Sequence, residues 1–357
     1  MRIAIDARMI DHPGIGTYIR NILRGLLKCA SGNEIVLYGD PAKLSEFPVE
    51  KKMYTASVYS YNELFRSPLA KDKFDLVHIP HFNAPFGKIN NLVVTIHDLI
   101  YIKVAQSGVS PFKKTVAKWM FANALNKAKV IIAVSNNTRN DLIEYFPHAK
   151  DKITVIYEAA ELEYKKITDR QKLNSIKQKY NLPENFILFV GSIRKHKNIE
   201  RLLDAYLYLK QKGRACKLVI IGRHDTAQKR IFDKIKASDV LCLGNVVTGD
   251  LPAIYNLADL FVFPSLYEGF GLPVLEAMAC GLPVVTSAVS SLKEVAGDAA
   301  LFCDPLDHKD IALKIEIALG DKGLRNTLIE KGLKQAASFS WDKAAKDTLE
   351  VYRKAVS

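Results

Sequence analysis

A chain of 357 residues, 48% hydrophobic and 25% charged, has the make-up of a globular protein of about two domains. No apolar run reaches the roughly 18 residues that a membrane-spanning helix needs, and the N-terminus reads as a strand with an early acid, not a signal peptide. The formal net charge of +13 fits nucleic acid, an anionic membrane or a polyanionic substrate. Nucleic acid is set aside, because neither zinc-ligand spacing nor an aromatic RNA-binding motif accompanies the charge. Lysine-rich solubility is the plain reading, and a membrane-surface contact is the functional one. The five scattered cysteines, odd in number, read as reduced core residues of a cytosolic protein.

In chain order, Arg2 to Asp6 forms a first strand, with Ile3 and Ile5 alternating. The chain then turns through Pro13-Gly14-Ile15-Gly16-Thr17 into a helix over 16–28. Its Ile15, Ile19, Ile22, Leu23, Leu26 and Leu27 recur with a 3.6 period. A glycine loop opening a helix at a strand's carboxyl end is where open α/β sheets bind ligands. Gly14 and Gly16 are therefore candidate contacts, with simple turn glycines as the alternative. Further strands are expected at 34–39, 75–80, 92–97, 129–134 and 153–157, with helices over 112–127 and 137–146. Thr95-Ile96-His97-Asp98 ends the strand 92–97, the fourth in the chain. Neutral or charged, a histidine there can donate a hydrogen bond. His78 and His81, one strand earlier, read as structural. The stretch Phe112 to Lys129 carries Lys113, Lys114, Lys118, Lys127 and Lys129. Val116, Trp119, Met120 and Ala124 are its expected apolar face. It reads as a core-packed helix with a solvated basic side, or as a helix resting on anionic lipid.

A polar stretch, Glu158 to Asn185, precedes a second series of strands at 186–191, 217–222, 240–243, 260–263, 283–286 and 300–303. Helices are expected over 198–212, 226–237, 273–280, 307–319, 321–337 and, after Ser340 as N-cap, 341–355. Twelve strands alternating with helices exceed one comfortable sheet, which implies two doubly wound parallel domains. After strand 186–191, the loop Ser192 to Asn198 places Arg194, Lys195, His196 and Lys197 at a helix start. Point charge from lysine and forked donors from arginine suit a diphosphate there; a solvated loop is the alternative.

The densest stretch runs from Phe263 to Pro283. Gly269 and Gly271 let backbone approach a ligand. Pro273 suits the first helical position, and Gly281 followed by Pro283 is a helix stop. The free N–H groups at that helix start make an anion site. Glu268 lies in the loop, and Glu276 is expected in the first turn, where the helix dipole favours its charged form. Two carboxylate oxygens match the two donors of a vicinal diol. An anion site bracketed by two such carboxylates describes a sugar-nucleotide site. The bland alternative is solvated glutamates and turn glycines.

The string EGFGLPVLEAMACGLPVV, with seven residues between Glu268 and Glu276, resembles the E-x7-E segment of retaining glycosyltransferases of family 4. The likeness continues through Ser290 to Ala300. It implies the α/β GT-B fold, two doubly wound Rossmann-like domains facing a central cleft. Residues 1–165 would be the acceptor side and 166–340 the donor side, with 341–357 packing back on the first domain. It implies catalytic roles for Glu268 at the transferred sugar, Lys197 at the diphosphate, and His97, which matches a T-x-H segment facing the donor sugar. Glu276 would hold the ribose. Gly14 and Gly16 would lie near the donor phosphates, Gly269, Phe270, Gly271 and Leu272 would line the donor loop, and the backbone of Asn245 and Val246 would face the base.

The family usually has an arginine where this chain has Ser192, so Arg194, also a donor-binding candidate, or His196 is expected to take its place. Gly-Ser followed by Lys-Asn, the GIGTY loop and His97-Asp98-Leu99 are similar to the O-antigen mannosyltransferase branch. That implies mannose from GDP-mannose, with a UDP-sugar as the alternative donor. No D-x-D triplet occurs, so neither a metal nor another cofactor is expected, and Lys197 with helix N-termini would neutralise the diphosphate. The implied activity is retaining hexosyl transfer from a nucleoside diphosphate sugar to a glycan or lipid-linked acceptor in cell-surface polysaccharide synthesis. The place implied is the cytoplasm, peripheral at the inner face of the membrane, with no nucleic-acid partner. The readings of another class are a glycoside hydrolase using the two glutamates and a non-catalytic sugar-nucleotide-binding protein.

Overall fold

The computed structural model describes residues 1–104, 110–214, 216–222 and 229–357. The chain forms two compact units. The first takes in Met1–Lys103, the stretch ending at Glu158, and Ser340–Ser357; the second holds Ala159–Phe339.

In the first unit the elements run β1 (Arg2–Asp6), α1 (Ile15–Cys29), β2 (Glu34–Gly39), β3 (Glu50–Met53), α2 (Tyr61–Arg66), β4 (Leu76–Ile79), β5 (Leu92–Ile96), α3 (Ile100–Lys103), α4 (Pro111–Lys127), β6 (Val130–Ala133), α5 (Asn136–Tyr145) and β7 (Ile153–Val155). The strands build one seven-stranded sheet in the order β3-β2-β1-β4-β5-β6-β7, every pair parallel. Strands β4, β5 and β6 are buried along their whole length, as expected where helices cover both faces. The chain order reverses beside β1, which has β2 on one side and β4 on the other. Ligands of open α/β sheets bind at such a switch point, beyond the strands' carboxyl ends.

The second unit runs α6 (Arg170–Lys179), β8 (Phe186–Val190), α7 (Ile199–Gln211), β9 (Lys217–Ile221), α8 (Lys229–Ala237), β10 (Leu241–Gly244), α9 (Leu251–Leu257), β11 (Leu260–Phe263), α10 (Leu272–Ala279), β12 (Val284–Ser287), α11 (Leu292–Ala296), β13 (Leu301–Cys303), α12 (His308–Gly320) and α13 (Lys322–Ala337). Its six parallel strands take the order β10-β9-β8-β11-β12-β13. Here the switch point lies beside β8.

The last helix, α14 (Trp341–Val356), belongs to the first unit. Ser340 caps it by accepting from the Lys343 N–H. The helix lies so close to α1 that a Cβ on Gly25 would stand 2.4 Å from the Ala345 Cβ. Its Tyr352 hydroxyl meets His78 Nδ1 at 2.7 Å, His78 Nε2 meets Thr95 Oγ1 at 2.8 Å, and the Tyr18 hydroxyl reaches the same Oγ1 at 2.9 Å. Burial lowers the His78 pKa to about 3, so the ring is neutral and structural. His81 is likewise buried, with its pKa lowered to about 3.

All twelve expected strands are present, and β3 is an additional one. Its sequence, Glu-Lys-Lys-Met, offers no apolar run, because an edge strand can be polar on both faces. Short helices α2, α3, α6, α9 and α11 also lacked enough periodic residues to be legible. Positions 226–228 of the expected helix 226–237 lie outside the described residues. The expected apolar face of α4 is corrected. Met120, Phe121, Ala124 and Leu125 are the buried residues, whereas Val116 and Trp119 are 38% and 54% exposed. At about 100° per residue, the buried stripe centres on Phe121 and Ala124, and positions 112, 116 and 119 fall on the far side. No helix among the described residues is long and apolar enough to cross a membrane.

Candidate functional site

In the second unit two loops at the sheet's switch point are laced together. The loop after β8 makes one tight turn, Lys195–Lys197, and then Asn198 adopts a left-handed conformation, φ 60°. Asparagine tolerates that region better than most residues. The Asn198 side-chain amide donates to the Pro264 and Pro305 carbonyls at 2.9 and 2.6 Å. The His196 carbonyl accepts from Leu266 N–H at 2.7 Å and from the Ser265 hydroxyl at 2.9 Å. These bonds bring Lys197 onto Glu268, its Nζ 2.7 and 2.8 Å from the two carboxylate oxygens. Both side chains are mostly buried, 13% and 11% exposed. The ammonium also lies 5.0 Å from the centre of the Phe263 ring. A buried pair of this kind is costly to break from one side, because the remaining charge is left unpaired.

The glutamate loop is pinned from behind by two serines. Glu268 N–H donates to Ser290 Oγ at 2.9 Å. The Ser291 hydroxyl lies 2.9 Å from the Glu268 carbonyl and 2.7 Å from that of Phe270, and it donates its proton to one at a time. Gly269 and Phe270 are buried in this loop. Gly271 has φ 113°, and a Cβ on it would stand 2.8 Å from Leu292 Cδ2, so both backbone and space call for glycine. Leu272 then opens α10, with a proline in the first turn and no side-chain cap. Pro273 has no N–H and the Val274 N–H donates to the Gly271 carbonyl at 3.0 Å, so of the first three residues it is Leu272 whose N–H the helix start can offer to an anion.

Glu276 stands in the second turn of α10, not the first, and the expected dipole effect is overruled. Burial pushes its carboxyl up to about 7, while a hydrogen bond from the Tyr255 hydroxyl, 2.9 Å from Oε2, pulls the other way. Tyr255 is fully buried on α9, with Tyr164 edge-on at 5.8 Å. The carboxyl thus changes charge near neutral pH.

His196 does not replace the expected arginine. It is buried, and burial followed by the nearby Lys197 charge lowers its pKa to about 4, so it is neutral. Arg194 and Lys195, both exposed, are the other cations of this loop. Asn245 and Val246 follow β10 at the sheet edge.

Gly14, Gly16 and His97 lie in the first unit. Gly14 precedes α1 with φ 80°. Gly16 lies against the preceding turn, and a Cβ there would come within 2.2 Å of the Ile10 carbonyl oxygen. Packing alone thus demands the second glycine. His97 presents Nδ1 to Glu158 Oε1 and Nε2 to the Pro80 carbonyl, each at 3.1 Å. Both partners are acceptors. Tyr18 packs edge-on against it at 4.9 Å.

The structure therefore brings Lys197, Glu268 and the α10 loop together in one unit, and it places Gly14, Gly16 and His97 in the other, where Tyr18 of α1 packs on the His97 ring. Sequence reasoning missed Tyr255, Glu158 and Asn198 as partners. Tyr255 and Glu158 sit in segments with no motif of their own. Among the described residues no group of three or more His, Cys, Asp or Glu side chains gathers as a metal site.

Residues 13–164 match the family model described as Glycosyltransferase Family 4, and residues 171–335 match Glycosyl transferases group 1. The chain is 30% identical to O-antigen chain mannosyltransferase B of Escherichia coli over 382 aligned positions, covering 99% of this chain and all of that one. It is 35% identical to a serotype-specific mannosyltransferase, WbdA, of Escherichia coli, covering 77% of this chain and 34% of that longer protein. Among solved structures it is similar to sucrose-phosphate synthase from Thermosynechococcus elongatus, with TM-score 0.76, 21% identity and coverage of 99% and 98%. It is also similar to Anabaena HepE in complex with UDP and glucose, with TM-score 0.75, 19% identity and coverage of 98% of each chain.

Proposed function

From the premise that this chain belongs to glycosyltransferase family 4, with the GT-B fold of two parallel α/β units, we propose that it transfers mannose from GDP-mannose to a growing glycan or lipid-linked acceptor, retaining the anomeric configuration. The observation that carries this is the clamped Lys197–Glu268 pair beside the start of α10, with Glu276 on the same helix. In this reading the donor diphosphate meets the Leu272 N–H and the positive dipole end of α10 together with the Lys197 ammonium. Positive charge there opposes the negative charge that grows on the leaving phosphate as the glycosidic bond breaks. Glu268 takes a hydrogen bond from the transferred sugar, and ionised Glu276 takes the ribose hydroxyls. The acceptor attacks the face that the diphosphate leaves, and a phosphate oxygen takes its proton, so no protein nucleophile is needed. No metal takes part.

The choice of mannose and of cell-surface polysaccharide rests on the likeness to O-antigen chain mannosyltransferase B along its full length. The proposed place is the cytoplasm, where GDP-mannose would be met. The test is a thermal-shift panel of GDP, UDP and ADP with their sugars, followed by transfer of labelled mannose to an oligomannoside in the presence and absence of EDTA. At a hundredfold excess over its Kd, a binding nucleotide stabilises the fold by about 2.7 kcal/mol. GDP and GDP-mannose should shift the melting temperature and support EDTA-resistant transfer. A shift with UDP alone would move the donor assignment to a UDP-sugar, and no shift with any of the three would remove the reading.

A further inference from the structure

The turn before α2 holds a tyrosine in an uncommon conformation. Tyr59 has φ 68°, a left-handed region that glycine enters freely and a ring-bearing residue seldom does. It is fixed from the inside. The Tyr59 N–H donates to the carboxylate of Glu63, which is wholly buried. Glu63 also accepts from the Asn83 amide and from the Arg8 guanidinium. The Arg8 side chain is 5% exposed. It donates to Asp6 at 2.9 and 2.6 Å and to the Ala56 carbonyl at 2.8 Å, with the Tyr54 ring centre 4.0 Å away. One guanidinium and two carboxylates thus draw the end of β1, the turn before α2 and the loop after β4 onto one point. Charges are costly to take out of water, and backbone strain that a surround over-determines in this way gathers at ligand-holding loops.

What this cluster positions is an open ring. Tyr59 is 43% exposed, and Tyr101 on α3 is 36% exposed. Both pack on buried Phe82, Tyr59 stacked at 5.7 Å and Tyr101 edge-on at 6.3 Å. Phe82 in turn stacks on Phe121 of the core at 4.0 Å. The Tyr59 hydroxyl lies 3.5 Å from His81 Nδ1. Phe82 follows β4 and Tyr101 follows β5, so the rings sit at the strands' carboxyl ends next to the switch point, where open α/β sheets bind ligands.

A tyrosine is an apolar plate with a polar tip. A pyranose matches it, with a face of C–H groups to lie on the plate and hydroxyls to bond at the tip. Arg8, the cation of this cluster, is engaged by Asp6 and Glu63 and has nothing to offer a phosphate. The chemistry therefore favours a neutral sugar over a nucleotide or an anionic headgroup.

We propose that Tyr59, flanked by Tyr101, is the platform for a pyranose unit of the acceptor glycan, and that Glu63 with Arg8 and Asp6 is the positioning device that holds the ring in place. The identity of that sugar as acceptor rests on the transfer reading above.

Binding of mannotriose to the full-length protein is followed by saturation-transfer NMR, and the acceptor and donor KM by transfer from GDP-mannose. Tyr59→Gly is the most informative variant, because glycine takes the φ of this turn without strain, so the melting temperature should hold. It should weaken mannotriose binding and raise the acceptor KM by about tenfold or more, since the sugar loses a large apolar surface, while the donor KM stays within about twofold. Tyr59→Phe keeps the plate and should lose less. Glu63→Gln should raise the acceptor KM with the donor KM unmoved; a merely structural role would move both together with the melting temperature. Tyr61→Ala, a neighbouring exposed ring, should move neither KM. A folded Tyr59→Gly protein that binds mannotriose as the wild type does, a wild type without a mannotriose signal, or equal rises in the donor and acceptor KM would overturn the proposal. The transfer reading fails on a different result: if no nucleotide sugar supports turnover but Tyr59→Gly still abolishes the mannotriose signal, the glycan platform stands and the transferase assignment falls.

Discussion

If ionised Glu276 grips the ribose, nucleotide affinity should depend on pH through the Tyr255–Glu276 bond. Burial holds the carboxyl at about 7 despite the Tyr255 hydroxyl, which favours the charged form. Tyr255→Phe removes only that hydroxyl from a fully buried ring. A hydrogen bond to a charged group is worth about 1.5–3 kcal/mol, or about one to two pKa units. In the variant the carboxyl should titrate that much higher, so at pH 8 it is half to mostly protonated. Calorimetry should then find GDP bound about two- to tenfold more weakly than by the wild type at pH 8, with the gap closing near pH 10. GDP has a titrating phosphate of its own, so Glu276→Gln serves as the reference. It cannot ionise, and whatever pH dependence it retains belongs to the ligand. A Tyr255→Phe profile that overlays the wild type, or a wild-type profile parallel to that of Glu276→Gln, would refute the reasoning.

Glu276 also affects stability, with a definite sign. Its folded pKa lies above the ordinary carboxylate value of 4.5, so its burial adds no pH-linked cost at pH 4, the cost builds as pH rises from about 4.5 to about 7, and it is fully present above that. Glu276→Gln should therefore raise the melting temperature at pH 8, by up to about 3 kcal/mol of stability, and leave it unchanged at pH 4. Lys197→Ala should lower kcat more than it raises KM, because its charge faces phosphate that becomes more negative in the transition state; a pure KM effect would make it a uniform binding residue. Gly16→Ala should destabilise the first unit by about 1–3 kcal/mol in denaturant titration, since the new Cβ meets the Ile10 carbonyl at 2.2 Å. Tyr352→Phe should cost about 1–3 kcal/mol by leaving buried His78 Nδ1 without its partner, and an unchanged midpoint would show that another group takes over.

Some features of this protein are settled within short stretches of chain. A parallel strand covered on both faces must be apolar along its length, so β1, β5, β8 and β11 stand out as runs such as Leu-Val-Val-Thr-Ile and Phe-Ile-Leu-Phe-Val. Gly271, a proline in the first turn and the stop after Cys280 mark α10 because backbone φ and the missing N–H are local properties. Two doubly wound units and the Glu268–Glu276 segment were legible for that reason. Contacts between distant segments were not. Lys197 and Glu268 are 71 residues apart and meet only because Asn198 and His196 bond to the other loop. The protonation of Glu276 was misjudged from its place on a helix, since desolvation by neighbours from α9 outweighs the dipole of its own helix. His196 lost its charge in the same way. Trp119 is as apolar as Phe121 in sequence, and only the packing of α4 on the sheet decides which ring is buried. Periodicity reports the preferences of a segment, whereas charge state, pairing and exposure depend on what other segments remove from water, and that is decided by the tertiary fold.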